Sequence, residues 1–262
     1  MTQFVAHRGG AARWPENSLT AFRGAVEAGA RLLECDVHLT RDGEIAVIHD
    51  PTLDRTTTGT GAVEHQTAAE LRQVRLRTRD GHVSDDSVPT LTDVLAVAAP
   101  AGVTLLVEIK TPGAAVEYVR RDAEFRAVPG RRYPGLEQKV IEALGKAGAV
   151  ALVMAFNPDV LAEIRRLAPD RPTALLVDRG HVVSAGATGV DAVAWAHAAG
   201  ATFLGLHYSV CDAAVMAAAR RAGVLIAVFT VNDETEMTRL LGIGVDAIIT
   251  DRPELIPPGA QT

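Results

Sequence analysis

The sequence predicts an α/β fold, a TIM (β/α)₈ barrel in which helices enclose eight parallel strands, and three observations lead to this prediction. Its 262 residues are enough for either two small domains or one large barrel. Eight apolar runs lack strict alternation, as is typical of parallel strands covered on both faces. Alanine-rich helical stretches that end in glycine precede several of these runs. We expect a single barrel domain over residues 1–262.

The predicted strands and helices alternate along the chain. The apolar runs cover residues 4–6, 32–37, 104–109, 151–156, 174–177, 203–206, 225–231 and 246–249. Before the second run, Asn17 or Ser18 can cap a helix, because either side chain can accept a hydrogen bond from a free backbone amide. After the fourth run, Asn157 supplies a cap and Pro158 occupies the first helical position.

Two segments exceed what a minimal barrel needs. Residues 51–90, after the second strand and its hairpin, are polar and rich in threonine, aspartate and glycine. Residues 114–132 follow the third strand and contain the basic pair Arg131 and Arg132. Barrel enzymes carry their functional loops after strands, so we expect both segments to be insertions at the functional rim. The second could form a lid, an oligomer contact or a substrate-selecting loop.

Charge and cysteine usage exclude several classes of protein. The 26 basic and 32 acidic residues give a net charge of −6, which argues against a general nucleic-acid binder. No apolar stretch reaches the roughly 20 residues that cross a bilayer, so we expect no membrane span. Cys35 and Cys211 lie far apart, and the chain opens without a basic stretch followed by a hydrophobic run. We expect a reduced, cytoplasmic protein, and the sequence leaves its oligomeric state open.

Polar side chains end nearly every predicted strand. The carboxyl ends of parallel strands meet at one rim of a barrel, so we expect these side chains to lie close together. They are His7, Arg8, Glu34, Asp36, Glu108, Lys110, Asn157, His207, Asn232 and Asp251. Their convergence predicts a functional site at this rim.

Three carboxylates are the most informative members of this set. Glu34 and Asp36 are one residue apart, so on a strand both point to one face, and the intervening cysteine packs on the other. Carboxylates held this close repel each other unless a proton or a cation lies between them. With Glu108 they form an all-oxygen cluster, which favours one hard divalent cation, Mg²⁺ or Ca²⁺. The alternative is a buried salt-bridge network with Arg8 and Lys110.

A hairpin is predicted to bring a second histidine to these carboxylates. The pair Asp42-Gly43 fits a two-residue type I′ turn. The resulting register places His49 directly across from Asp36 on the same face, whereas a slip of one residue would point it away. Asp50 would face the opposite side, and we interpret it as a turn or cap residue.

His7 and His49 are then two histidines at one carboxylate-rich rim. Imidazole titrates near neutral pH, so such a pair can act as general acid and general base. For His207, at a strand end, functional and structural roles are equally supported. The remaining histidines, interpreted as surface or packing residues, are His38, His65, His82, His181 and His197.

An ordered set of motifs resembles the glycerophosphodiester phosphodiesterase family and covers essentially the whole chain. The motifs are His7-Arg8-Gly9-Gly10, Pro15-Glu16-Asn17-Ser18, Glu34-x-Asp36, His49-Asp50, Glu108-Ile109-Lys110, Tyr133-Pro134-Gly135-Leu136-Glu137, Phe156-Asn157, Thr230-Val231-Asn232 and Thr250-Asp251-Arg252-Pro253. The motifs are specific to this family as an ordered set, whereas any one of them alone would be weak evidence for it. The resemblance implies a TIM barrel that hydrolyses a small glycerophosphodiester, such as glycerophosphocholine, to sn-glycerol 3-phosphate and an alcohol.

The resemblance also implies roles for individual residues. His7 and His49 would be the general acid and base, and the carboxylates of Glu34, Asp36 and Glu108 would hold the divalent cation. The side chains that would hold phosphate oxygens are those of Arg8 and Lys110. Two phenylalanines at strand ends, Phe156 and Phe229, could line the glycerol or alcohol pocket or pack in the core.

Other motif residues receive structural interpretations. Glu16 and Asn17 are expected to order the first loop and cap its helix. Asn232 resembles an N-cap, and Asp251 with Arg252 resembles a turn.

Several alternatives stay open at this point. The first nucleophile could be the glycerol 2-hydroxyl, which would give a cyclic phosphate that water then opens, or it could be water itself. A lysophospholipase D or a phospholipase C-like enzyme would use the same motifs on lipid substrates, although neither insertion is strongly apolar. The third hypothesis is a non-catalytic barrel that only binds phosphodiesters or partners. The retained histidine pair and the three carboxylates argue against it.

Overall fold

The computed structural model describes residues 2–121 and 124–255, and it contains the predicted barrel. In chain order the strands are β1 (Gln3–Ala6), β2 (Leu32–Leu39), β3 (Ile45–Val47), β4 (Arg75–Arg77), β5 (Val83–Ser87), β6 (Thr104–Ile109), β7 (Val116–Arg121), β8 (Glu124–Pro129), β9 (Ala151–Ala155), β10 (Thr173–Val177), β11 (Phe203–His207), β12 (Leu225–Phe229) and β13 (Ala247–Thr250). Strands β1, β2, β6 and β9 to β13 pair in parallel, and β1 pairs with both β2 and β13. This pairing closes the eight-stranded barrel, so all eight carboxyl ends open at one rim.

Helices separate the barrel strands along the chain. They are α1 (Leu19–Glu27), α2 (Ala68–Leu71), α3 (Leu91–Ala98), α4 (Leu136–Ala147), α5 (Pro158–Leu167), α6 (Arg179–Ser184), α7 (Gly189–Ala198), α8 (Ala213–Ala222) and α9 (Glu234–Ile243). Asn157 and Pro158 begin α5 as predicted. Of the two candidates for the first cap, Ser18 is the one used, because its hydroxyl accepts the amide of Ala21. Among residues 2–121 and 124–255, no helix is both long and apolar enough to cross a bilayer.

The barrel strands are buried on both faces, which explains why their apolar runs lack alternation. On β2, the side chains of Leu33, Cys35 and Val37 belong to the large core shared with the helices. A smaller apolar cluster lies on the opposite faces of the strands; its members are Val5, Leu106, Leu152, Met154, Ala174, Leu176, Ala227, Ala247 and Ile249. Glu34 and Asp36 point to this second face, inside the barrel. The packed position of the cysteine between them confirms its prediction.

The hairpin that follows β2 has a different register from the predicted one. β3 pairs Val37 with Val47, and the amide of Ile48 donates to the carbonyl of Asp36 at 3.0 Å. Ile48 is therefore the residue bonded to Asp36, one position before the predicted His49. The chain leaves the strand after Val47, and this change of direction still brings His49 to the rim.

The loop of this hairpin explains the difference. Its closing hydrogen bond runs from the Thr40 amide to the Glu44 carbonyl, so three residues form the loop rather than two. Gly43 has φ of +80°, but Asp42 lacks the positive φ that a type I′ turn requires at both central positions. The Asp42 carboxylate instead accepts hydrogen bonds from the Thr40 hydroxyl and from the amide of Ala68, the first residue of α2. The predicted two-residue turn is wrong.

The two long segments adopt different structures. Residues 51–90 contain α2 and the antiparallel pair β4–β5, and they form one wall of a groove beside the functional rim. Residues 114–121 and 124–132 contain the antiparallel pair β7–β8, which packs against α5, α6 and α7. There the ring of Tyr118 stacks on that of Trp195 in α7, with 3.9 Å between centroids. The described part of this second segment lines neither of the two cavities at the rim.

Candidate active site

The side chains predicted to converge at the rim surround a cavity of about 340 Å³. His7 and Arg8 directly follow β1, Lys110 follows β6, and Glu108 lies within β6. The lining consists of His7, Arg8, His49, Glu108, Lys110, Met154, Phe156, Leu176, Asp178, His207, Phe229, Thr230 and Ile249. Barrel strands therefore supply a cavity with charged groups on one side and apolar groups on the other.

Three buried carboxylates form a compact cluster beside this cavity. Glu34, Asp36 and Glu108 each offer one oxygen, and these oxygens lie within 4.8 Å of one another. Glu34 and Asp36 are fully buried, and Oε1 of Glu34 has no hydrogen-bond partner among the described residues. A buried acceptor without a partner is costly, and this oxygen is available to a cation. The donor set is all oxygen, so the cluster fits a hard divalent cation.

Two basic side chains also contact the three carboxylates. The salt bridges that were the alternative to a metal site are therefore present at the same cluster. Lys110 Nζ lies 3.0 Å from Oδ1 of Asp36 and 2.6 Å from Oε1 of Glu108. Arg8 Nε lies 3.2 Å from Oδ2 of Asp36, and the Arg8 amide donates to Oε2 of Glu34 at 2.9 Å. Three carboxylates face two cationic side chains, which leaves one negative charge uncompensated when all are ionised.

Burial and the neighbouring charges shift the pKa values of the three carboxyl groups in different directions. Burial, together with the Asp36 carboxylate, raises the pKa of Glu34 well above its usual range. Burial raises the pKa of Glu108 to about 7, even though Lys110 opposes this shift. For Asp36, burial is outweighed by Lys110 and Arg8, which hold its pKa well below the usual range. Without a cation, a proton on Glu34 therefore relieves the repulsion.

Each of the two predicted catalytic histidines is held by an aspartate. Nδ1 of His7 donates to Oδ1 of Asp251 at 2.6 Å, and Nδ1 of His49 donates to Oδ1 of Asp50 at 2.6 Å. A carboxylate can only accept, so in each ring the proton of the neutral tautomer lies on Nδ1, and Nε2 is the free nitrogen. Nε2 of His7 is 3.8 Å from Oε2 of Glu34. Burial lowers the pKa of His49 to about 4, which keeps its Nε2 unprotonated at neutral pH.

The histidine partners were missed by sequence reasoning. Asp50, interpreted as a turn or cap residue on the opposite side, instead pairs with His49 and with Arg55. Asp251 pairs with His7, and its second oxygen accepts the side-chain amide of Asn232 at 2.7 Å. The predicted N-cap role of Asn232 is wrong, because the neighbouring aspartate caps α9. The sequence did contain a signal for both partners: Asp50 is adjacent to the candidate histidine His49, and Asp251 lies just after a predicted strand.

The first loop is tied to the cluster by Glu16 and Asn17, in line with their predicted role in ordering it. The side-chain amide of Asn17 donates to Oδ2 of Asp36 at 2.8 Å. Asn17 is buried and has φ of +59°, a conformation that asparagine tolerates better than most residues. Glu16 accepts hydrogen bonds from both Arg8 and Arg55. These contacts fix Arg8 and Asp36 relative to each other.

The apolar side of the cavity contains both predicted phenylalanines. The rings of Phe156 and Phe229 meet edge to face, with 6.1 Å between centroids. His207 meets Phe229 in the same way at 6.2 Å, and Lys110 Nζ lies 6.0 Å from the centre of the Phe156 ring. Asp178 adds a carboxylate to this wall. The cavity therefore combines an aromatic surface with a few polar groups that could orient a small polar ligand.

Known proteins resemble the chain over nearly its whole length. The sequence profile of the glycerophosphoryl diester phosphodiesterase family matches residues 7–255. A glycerophosphodiester phosphodiesterase of Caldanaerobacter subterraneus subsp. tengcongensis is 31% identical over 260 residues, covering 97% of this chain and 96% of that protein. A crystal structure from Agrobacterium tumefaciens, assigned to the same family, has a TM-score of 0.82 at 28% identity, covering 97% of this chain and 95% of that one. An Oleispira antarctica phosphodiesterase, solved with the product sn-glycerol-3-phosphate, has a TM-score of 0.78 at 26% identity, covering 98% and 95%.

Proposed function

The chain belongs to the glycerophosphoryl diester phosphodiesterase family, and from this premise we propose that it hydrolyses glycerophosphodiesters to sn-glycerol 3-phosphate and an alcohol. It is a phosphoric diester hydrolase, as the motif resemblance predicted. The observation that carries the proposal is the pairing of His7 and His49, each held by an aspartate, at one cavity beside a carboxylate cluster. General acid–base catalysis of this hydrolysis uses two such groups, one for the attacking oxygen and one for the leaving oxygen.

The position of each histidine suggests which one acts as acid. His49 lines the 340 Å³ cavity, whereas His7, Arg8 and Thr230 line both this cavity and an adjoining groove. In the proposed arrangement the phosphoryl group lies at this shared boundary. The glycerol, common to all substrates, occupies the cavity built by barrel strands, and the variable alcohol leaves on the groove side. His49 is then the base beside the glycerol, and His7 is the acid beside the leaving alcohol.

The proposed reaction balances with these two proton transfers. Nε2 of His49 takes the proton of the attacking hydroxyl as its oxygen bonds to phosphorus. The bond from phosphorus to the alcohol oxygen breaks, and His7, protonated on Nε2 at this stage, gives that proton to the leaving oxygen. If the glycerol 2-hydroxyl attacks first, water opens the resulting cyclic phosphate and the histidines exchange roles. If water attacks directly, the same two transfers complete the reaction.

We assign the charged residues to the phosphoryl group on the same basis. Glu34, Asp36 and Glu108 would hold one divalent cation, Mg²⁺ or Ca²⁺, which when bound would neutralise charge on the phosphoryl oxygens. Lys110 and Arg8 line the cavity and carry N–H groups beyond those that contact carboxylates, so they can bind phosphoryl oxygens.

No specific observation favours a lipid substrate. The large apolar side chains that are exposed in the described residues are scattered valines, and none of them lines the cavity. An enzyme that binds lipid aggregates would need a contiguous apolar rim. A cytoplasmic location and a single catalytic domain over the whole chain stay predictions.

The test of the proposed function is direct product identification. We expect the purified protein with Mg²⁺ or Ca²⁺ to convert glycerophosphocholine and glycerophosphoethanolamine to sn-glycerol 3-phosphate, detected by ³¹P NMR as a phosphomonoester. The double variant His7→Ala, His49→Ala serves as the control for contaminating activity. Turnover by the wild type no faster than by this variant would favour a non-catalytic binding protein instead.

Asp251→Asn is expected to lower kcat by at least about tenfold with little change in KM, because Asp251 positions His7 and stabilises its protonated form. Burial would raise the pKa of Asp251, but its hydrogen bond from His7 and the charge of that ring outweigh burial and lower it. The residue is therefore a carboxylate at neutral pH, and an amide would supply no charge.

Steady-state kinetics and thermal unfolding of the same sample check this prediction. Asp170→Asn, an exposed position in a turn after α5, is the matched control. A kcat within twofold of the wild type for Asp251→Asn would show that His7 needs no charged partner.

A further inference from the structure

A second cavity, which we call the basic groove, adjoins the active-site cavity at the rim. It measures about 480 Å³ and shares His7, Arg8 and Thr230 with the first cavity. The barrel supplies one wall, and the inserted segment 51–90 supplies the other. Four arginines line the groove, and the inserted segment contributes three of them: Arg55, Arg77 and Arg79.

The arginines of the basic groove differ in whether they have acidic partners. Arg55 is paired with Glu16 and Asp50, and Glu16 also accepts from Arg8. For Arg77 and Arg79, no carboxylate oxygen of residues 2–121 and 124–255 lies within 4.0 Å of the guanidinium nitrogens. These two side chains therefore carry positive charge that the described protein does not neutralise.

The remaining acidic groups near the groove are already engaged. The second carboxylate in its lining, Asp251, accepts hydrogen bonds from His7 and Asn232. Asp80, next to Arg79 in sequence, accepts the hydroxyl of Thr78 and lies 3.4 Å from His82. The groove thus has an excess of positive charge on the side formed by the insertion.

Arg77 is held in a fixed position rather than extending freely into solvent. Its Nε donates to the carbonyl of Thr57 at 3.0 Å, and its Nη1 donates to that of Gly81 at 3.2 Å. A guanidinium has five N–H groups in a planar fork, so this leaves donors for a ligand. Thr56, whose carbonyl accepts the Arg77 amide, also lines the groove, and its buried hydroxyl has no hydrogen-bond partner among the described residues. Fixed, unneutralised donors of this kind suit an anion.

From this geometry we propose that the basic groove is a subsite for a leaving alcohol that carries a second phosphate group. The preferred substrates are then glycerophosphodiesters whose alcohol bears a phosphomonoester or a further phosphodiester. The proposal rests on the proposed function, because it assumes that the scissile phosphoryl group lies at the boundary shared by His7 and Arg8. Hydrolysis still breaks the same bond between phosphorus and the alcohol oxygen, and the second phosphate leaves intact on the alcohol. Arg77 and Arg79 bind it and take no part in proton transfer.

A panel of three substrates tests this assignment. They share the sn-glycerol 3-phosphate half and differ in the charge of the alcohol: glycerophosphocholine is cationic there, glycerophosphoglycerol is neutral, and phosphorylated glycerophosphoglycerol is anionic. We expect kcat/KM for the phosphorylated substrate to exceed that for glycerophosphoglycerol by about tenfold or more, since hydrogen bonds to charged groups have this magnitude. Rising ionic strength should reduce this ratio, because salt screens charges at an open groove.

Two variants connect the preference to the groove. Arg79→Glu, at an exposed position, should lower the ratio of the two kcat/KM values by about tenfold or more. Arg77→Gln should act in the same direction, and Arg77→Lys should restore part of the ratio. Arg31→Glu makes the same charge change at an exposed site before β2, at the opposite end of the barrel, and should leave the ratio unchanged.

The outcomes separate this proposal from the one on which it rests. Turnover of all three substrates with a ratio near one, or a ratio that survives Arg79→Glu and Arg77→Gln, would overturn the anionic-alcohol subsite and leave the phosphodiesterase activity standing. A ratio lowered equally by Arg31→Glu would also overturn it, since net charge alone would then be the cause. Turnover of none of the three would overturn the proposed function and the subsite together.

Discussion

Replacement of His7 by alanine is expected to lower kcat on glycerophosphocholine by about 10²- to 10⁴-fold, and replacement of His49 is expected to have an effect of the same size. Both rings line the cavity and are held through Nδ1 by an aspartate, so each substitution removes a positioned proton carrier. The loss should appear in kcat more than in KM, because proton transfer occurs in the transition state.

A substrate with a better leaving group should separate the two histidines. The p-nitrophenyl ester of sn-glycerol 3-phosphate releases p-nitrophenolate, a much weaker base than an alkoxide, which needs no proton to leave. His7→Ala should therefore retain most of its activity on this ester, whereas His49→Ala should lose as much as on glycerophosphocholine. The opposite pattern would reverse the assignment of acid and base, and equal losses for both variants on both substrates would contradict it.

A histidine outside the cavity provides the control for the loss of any histidine side chain. His197 is exposed on α7, with no side-chain hydrogen bond in the described part of the chain, and His197→Ala should have wild-type kinetics. The double variant His7→Ala, His49→Ala should be little worse than the weaker single variant, because the two residues act on one transition state. Thermal unfolding of each variant checks that the fold is intact.

The strands of the barrel could be predicted from sequence because each lies in a mostly apolar run, even where Glu34, Asp36 and Glu108 interrupt it. The predicted and observed bounds of the third barrel strand, β6, agree completely, and the others differ by at most two residues at either end. Alternation along β2 was enough to put Glu34 and Asp36 on one face and Cys35 on the other. Parallel topology then brought Glu108 to them, since strand ends meet at one rim.

The location of His49 was reached through a wrong intermediate step. The local sequence Asp42-Gly43 favours a tight turn, but the Asp42 carboxylate is used by Thr40 and Ala68, and the loop takes three residues. This shifts the register by one residue, and a bend after Val47 compensates for the shift. The local sequence pattern does not show which distant residue a turn side chain contacts, nor where the chain bends after a strand.

The same limit explains why the partners of the histidines were missed. Asp251 reaches His7 only because β13 lies next to β1 in the closed barrel, with Ala6 paired to Thr250. That contact joins residues at opposite ends of the chain, and no sequence periodicity reports it. Asp50 adjoins His49 in sequence, but strand alternation would have turned the two apart, and only the bend allows their 2.6 Å hydrogen bond.

Addition of Mg²⁺ or Ca²⁺ is expected to raise the unfolding temperature of the protein, and a chelator should reverse the rise and abolish turnover. A cation present at 100 times its Kd stabilises the folded state by about 2.7 kcal/mol, which is about 5 to 10 °C for a chain of this size. Differential scanning fluorimetry measures this shift without reference to activity. Full activity in excess chelator would contradict the assignment of Glu34, Asp36 and Glu108 as ligands.

The variant Glu34→Gln separates the effect of cation binding on the unfolding temperature from the effect of the side chain itself. The substitution keeps the shape of the side chain but removes a charge that burial and Asp36 already disfavour, so the metal-free variant should unfold at the wild-type temperature or higher. The metal-induced shift should largely disappear, because a neutral amide is a much weaker ligand. Glu27→Gln, exposed on α1, is the matched control and should retain the full shift.

The metal-induced shift should also depend on pH in a defined direction. The pKa of Glu34 lies well above 4.5 and that of Glu108 is about 7 in the metal-free protein, mainly because both are buried. Each must lose its proton to bind a cation, so affinity should rise as the pH increases from about 5 to 8. In the metal-free protein the raised pKa of Glu108 favours folding at low pH, and this contribution is lost as the pH rises through 7; the raised pKa of Glu34 acts in the same direction. A metal-induced shift that is constant over this range would show that these two carboxyl groups are not the ligands.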